Sequence, residues 1–135
     1  MERLGIPKTI AVYFAVDVNT TSANYSAIKE YFRGVARNIP RSVIGVYGEY
    51  DLVRYLDVRD TVTYLWQTYA WSGGRIYPPA HLYQYRNGQT INGAAVDFCR
   101  AQHADYGQWH APVPLPDTAT GVKMSFTVPK VPSEQ

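Results

Sequence analysis

The sequence predicts an α/β domain on a parallel sheet of about five strands, and two observations carry that expectation. Short, continuous runs of β-branched and aromatic residues recur through most of the chain, as suits strands buried on both faces. In the first half these runs alternate with segments of helical periodicity, the rhythm that places successive strands parallel. Length agrees: 135 residues, 46% of them hydrophobic, are enough for one domain with its own core.

The elements follow in order. Residues 10–16 are an unbroken apolar run that stops at Asp17. Thr20, Thr21 and Ser22 then offer N-cap oxygens. Over 23–37, Ile28, Tyr31, Phe32, Val35 and Ala36 recur at helical spacing, with Lys29, Glu30, Arg33 and Arg37 on other faces, and Pro40 closes the helix. A second strand is expected over 42–47, ending at Gly48, and a short helix over 50–56. The third strand, 62–69, stops at Trp71-Ser72-Gly73-Gly74. The fourth, 81–85, is followed by Arg86-Asn87-Gly88-Gln89, a strong turn signal, and the fifth spans 94–99. Pro112, Pro114, Pro116, Pro129 and Pro132 mark 112–135 as a linker or extended arm, leaving 1–111 as the domain.

Composition excludes several classes. Aromatic and β-branched residues are too frequent, and a net charge of +2 too small, for a disordered chain. A lone Cys99 rules out an intramolecular disulfide scaffold. No run reaches the roughly 18 apolar residues of a membrane span, and the first residues lack the apolar core of a signal peptide. Scattered arginines give a mild basic balance that does not argue for nucleic acid. What remains to be explained is the excess of tyrosine, 12 residues, with 3 tryptophans beside it.

In parallel α/β folds ligands sit at the carboxyl ends of the strands. The residues expected there are Asp17 and Asn19, Tyr47 and Glu49, Tyr69 and Trp71, Gln84, and Asp97. Two carboxylates among Tyr, Trp and Gln suit a saccharide, which needs flat apolar faces to stack on and polar groups for its hydroxyls. Each has a structural alternative. An Asp after a strand commonly caps a helix, strand tyrosines commonly pack, and Glu49 and Asp51 suit a helix start. Arg33, Arg37 and Arg41 suit a solvated edge. His81, His103 and His110 lack metal-ligand spacing, Cys99 suits a small core position, and no phosphate-cradling glycine loop occurs, so no metal or cofactor is implied.

A more specific signal lies in the order of several motifs. Tyr13-Phe14-Ala15-Val16-Asp17, Tyr31-Phe32-Arg33-Gly34-Val35, Gly45-Val46-Tyr47-Gly48, the block from Trp66 to Gly73, His81 to Gly88, and Val96-Asp97 succeed one another. Together, over roughly Leu4 to Trp109, they resemble the bacterial Rv2525c-like glycoside-hydrolase-like domains (DUF1906). These occur in actinobacteria, bacilli and some of their phages, often beside cell-wall-binding modules. More distantly, the pattern is similar to the family 25 muramidases, which cleave peptidoglycan from a modified β/α barrel.

The resemblance implies a partial TIM-type (β/α) barrel, its strands corresponding to the fourth to eighth of eight, and a role at bacterial cell-wall glycan. It implies an extracellular or wall-associated location. Asp17 matches the first acid of the muramidases' Asp-x-Glu motif and Asp97 the acid of the last strand, which makes them the expected acidic pair. Asn19, Tyr47, Tyr69, Trp71 and Gln84 are the expected substrate-binding residues. Asn19 stands where those enzymes carry the general-acid Glu, and an amide cannot donate a proton as a carboxylic acid does. A whole barrel takes about 200 residues or more. The expectation is therefore that the chain is a fragment, that another copy or partner chain completes the sheet, or that the C-terminal arm covers an edge. Three functional readings stay open: a glycan hydrolase, a non-catalytic carbohydrate-binding module derived from one, and an assembly component that uses the barrel as a docking surface.

Overall fold

A computed structural model describes residues 7–109. Its elements are β1 (Val12–Ala15), α1 (Ser22–Val35), β2 (Ile44–Gly48), α2 (Tyr50–Asp57), β3 (Tyr64–Thr68), β4 (Leu82–Ile91) and β5 (Ala94–Ala101). One turn of 3-10 helix, Arg41–Val43, leads into β2. The strands form one sheet in chain order, curled into a half-barrel. β1 to β4 run parallel.

The expectation of five parallel strands is corrected at the last one: β5 runs antiparallel to β4. The cause is local. Ile91 pairs with Ala94, so only Asn92 and Gly93 connect the strands, too few for a crossover. Both have positive φ, 51° and 81°, as a two-residue hairpin turn requires. The sequence holds two Asn-Gly pairs, and the expected turn at Asn87-Gly88 is instead an irregularity inside β4, where the register shifts between Arg86 and Gln89. The connection from β3 to β4 carries no helix. Gln67 holds it, donating to Arg75 O at 2.8 Å and accepting from Tyr77 N at 2.7 Å, while the buried Ser72 hydroxyl donates to Thr68 O at 2.6 Å.

Both helices cover one face of the sheet. Phe32 of α1 and Leu52, Val53 and Leu56 of α2 bury completely against Ile44, Val46 and Leu65. Thr21 caps α1 through a reciprocal box with Asn24. Glu49 caps α2, accepting from Asp51 N at 2.6 Å and Leu52 N at 2.9 Å, and it also accepts the Thr20 hydroxyl. Only 2% exposed, it is a structural carboxylate; such a cap contributes about 1 kcal/mol. Asp51 receives both guanidinium branches of Arg75, at 2.9 and 2.5 Å, and this pairing holds its carboxyl below the usual range.

The opposite face is aromatic. Strand alternation puts Tyr13, Tyr47, Tyr64 and Trp66 on it, and the rings meet edge to face: Tyr13 and Trp66 at 5.7 Å, Tyr47 and Trp66 at 5.1 Å. Gly45 makes this possible, because a Cβ there would lie 2.6 Å from the Tyr13 ring. At the foot of this face, residues 102–109 return from β5 to β1. Tyr13 donates to Tyr106 O and Ala11 N to Gly107 O, each at 2.9 Å. The Pro-rich arm expected over 112–135 lies outside the described residues.

Candidate functional site

At the upper end of the aromatic face, register places Thr68 beside Gln84, and Gln84 beside Cys99. Gln84 is the hub. Its Oε1 accepts from Tyr47 Oη at 2.8 Å and from Thr68 Oγ1 at 2.6 Å, and its Nε2 donates to Asp97 Oδ2 at 2.8 Å. Asp97 Oδ1 accepts from Gly88 N at 2.9 Å. The β4 irregularity therefore has a use: it turns a backbone N–H of an Asn-Gly pair onto the carboxylate that Gln84 already holds.

Burial is graded across this chain of contacts. Thr68 and Gln84 are buried, Tyr47 is half-buried and Asp97 is exposed. Such a gradient fixes the polar atoms from below and presents them to solvent above. Burial, followed by the negative charges of Asp17 and Asp97, raises the Tyr47 hydroxyl above its ordinary range, so it stays a hydrogen-bond donor at neutral pH. Asp17 lies two residues past the end of β1, exposed, and does not cap α1, whose cap is Thr21.

Of the residues expected at the site, Tyr47, Gln84 and Asp97 come together in this network, and Asp17 reaches it only through the effect of its charge on Tyr47. Asp97 joins it from within the antiparallel β5 rather than from the end of a parallel strand. Asn19 lies exposed in the loop before α1, outside the network. Tyr69 donates to Asn87 Oδ1 at 2.6 Å and clips the end of β3 to β4. Trp71 is 47% exposed in the turn after β3, with φ of 55°. Glu49 is consumed by its cap.

Trp66, Thr68, Gly88 and Cys99 were not anticipated as site residues. For Trp66 and Thr68 the signal was available: Tyr64, Trp66 and Thr68 alternate along one strand and share its face. Cys99, expected in the core, lies exposed on the sheet, and burial by its neighbours raises its thiol above the ordinary range although the Trp66 indole N–H faces it.

Three comparisons bear on this arrangement. The profile of a family described as Rv2525c-like, glycoside hydrolase-like domain matches residues 1–105. The crystal structure of the Mycobacterium tuberculosis Tat-secreted protein Rv2525c in complex with L-tartrate aligns with a TM-score of 0.74 at 27% identity, covering 78% of this chain and 53% of that one. A second crystal form of the same protein, in complex with HEPES, aligns with a TM-score of 0.73 at the same identity and coverage. This chain thus spans about half the length of the structures it matches. Among curated proteins, none matches.

Proposed function

Because the chain belongs to the Rv2525c-like, glycoside hydrolase-like family, we propose that its aromatic face binds a saccharide of the bacterial cell wall, peptidoglycan in the first place. The observation that carries this reading is the Tyr47–Gln84–Asp97 chain of hydrogen bonds standing on the Trp66 ring. A sugar has an apolar face and a polar rim, and this surface offers a ring beneath and oriented polar atoms above. Tyr69 and Trp71 extend the aromatic surface at the end of β3, and Asn19 adds an amide at the rim beyond β1. A location outside the cytoplasm accords with the Tat-secreted relative, and among the described residues no helix is long and apolar enough to cross a membrane.

Binding comes before hydrolysis in this reading. Both Asp97 oxygens already accept N–H donors, and the resemblance to the muramidases implies that Asn19 stands where their general acid does. One observation favours a second reading: Asp17 and Asp97 both act electrostatically on Tyr47, as the paired carboxylates of a glycosidase flank one bond. The two separate in one experiment on purified peptidoglycan. Wild-type protein is expected to sediment with it and release no reducing ends, and Asp97→Asn to weaken sedimentation about tenfold, the loss of one charge-assisted contact. Reducing ends that vanish in Asp17→Asn and Asp97→Asn would establish the hydrolase instead. Sedimentation unchanged in both variants would remove this face from the account.

A further inference from the structure

Which sugar the face accepts follows from which hydrogen-bonding groups are left over. Gln84 Oε1 is filled by the Tyr47 and Thr68 hydroxyl protons, and one Nε2 proton is spent on Asp97. Thr68 Oγ1 already accepts from Ala70 N at 3.2 Å. What remains for a ligand is a second lone pair on each Asp97 oxygen, the lone pairs of Tyr47 Oη, and the Asp17 carboxylate, against one free Gln84 N–H. Within the Tyr47–Gln84–Asp97 network, free acceptors thus outnumber free donors, with the buried Trp66 indole N–H and the exposed Asn87 amide as further donors beside it.

Charge points the same way. The charges that act on the Tyr47 hydroxyl are the carboxylates of Asp17 and Asp97. Among the described residues, Arg75 holds Asp51, and Arg100 lies 5.3 Å over the ring of Tyr83, a buried residue next to Gln84 and so on the other face of β4. Arg86 is exposed on β4, opposite Phe98. A ligand that brings N–H donors and positive charge satisfies both carboxylates, whereas one that brings its own carboxylate meets like charge with a single donor to receive it.

We infer that this face selects glycan units bearing free amino groups, glucosamine rather than N-acetylglucosamine, and disfavours uronic-acid units. The inference rests on the proposed saccharide-binding function and narrows it. An ammonium gives three donors where an acetamide gives one, and its charge is complementary to Asp17 and Asp97.

The test is calorimetric titration of the whole chain with three pentasaccharides of equal length: glucosamine, N-acetylglucosamine and galacturonic acid. The glucosamine pentamer is expected to bind about tenfold tighter than the acetylated one, with the difference shrinking as salt rises. Asp17→Asn, a residue outside the hydrogen-bond network, is expected to shrink it without unfolding the protein, as circular dichroism checks. Equal or tighter binding of the acetylated or galacturonic pentamer overturns the inference and leaves the saccharide-binding reading standing. Binding of none of the three overturns that reading, and the inference with it.

Discussion

Gln84 commits the chemistry of the site because its amide is asymmetric. Two hydroxyl protons fix the oxygen, so the nitrogen must face Asp97; a carboxylate at this position would meet Asp97 with no proton to give. The same logic governs His81 at the other end of the aromatic face. Its Nδ1 accepts Leu65 N at 3.1 Å, which requires the neutral ring, and burial together with the neighbouring His103 lowers its pKa below the ordinary 6.5, against smaller opposing contributions from Asp105 and Asp57. Below that value the unfolded chain binds a proton that the folded chain resists, so stability falls as pH falls. Denaturation midpoints are expected to decline from about pH 7 to about pH 5 in the wild type and to flatten in His81→Asn, whose side-chain oxygen keeps the acceptor. An identical slope in the variant would assign the decline to other groups.

At the level of elements, the first half was legible and the second only partly so. Apolar runs followed by capped helical patterns fixed β1, α1, β2 and α2 to within a few residues, because each is specified by its own periodicity and its own cap. The hairpin's place is not legible in the sequence because local turn chemistry cannot rank two Asn-Gly pairs. The choice was made by pairing: residues 89–91 and 94–96 form a ladder around Asn92-Gly93, whereas Asn87-Gly88 is held inside β4 by Asp97. The site was half legible for the same reason. Asp17, Tyr47 and Gln84 follow from their strands, but Asp97 reaches them by the antiparallel return, and Thr68 is selected only once β3 and β4 are in register. Gly93→Ala therefore has a sharp expectation: forcing a side chain to φ of 81° costs about 1 kcal/mol. Amide exchange is expected to accelerate along β4 and β5 while β1 to β3 keep their protection. Uniform acceleration across the sheet would mean that the hairpin is not a separate unit of stability.

Taken whole, the molecule has two unlike faces, and the proposed function assigns recognition to the aromatic one. The helix-covered face holds the aliphatic core, and the open face holds the aromatic row, with residues 102–109 across its foot and the Gln84 network at its head. Three of the 12 tyrosines, Tyr13, Tyr47 and Tyr64, line the open face, and each offers a ring to pack and a hydroxyl to bond. This face is the one on which the proposed saccharide would meet rings and polar atoms together. The most direct test is amide and side-chain shift mapping by NMR during titration with soluble peptidoglycan fragments. Saturable shifts are expected to cluster at Tyr47, Trp66, Thr68, Gln84, Gly88 and Asp97, with α1 and α2 unmoved. Saturable shifts confined to the helices, or none at all, would contradict it.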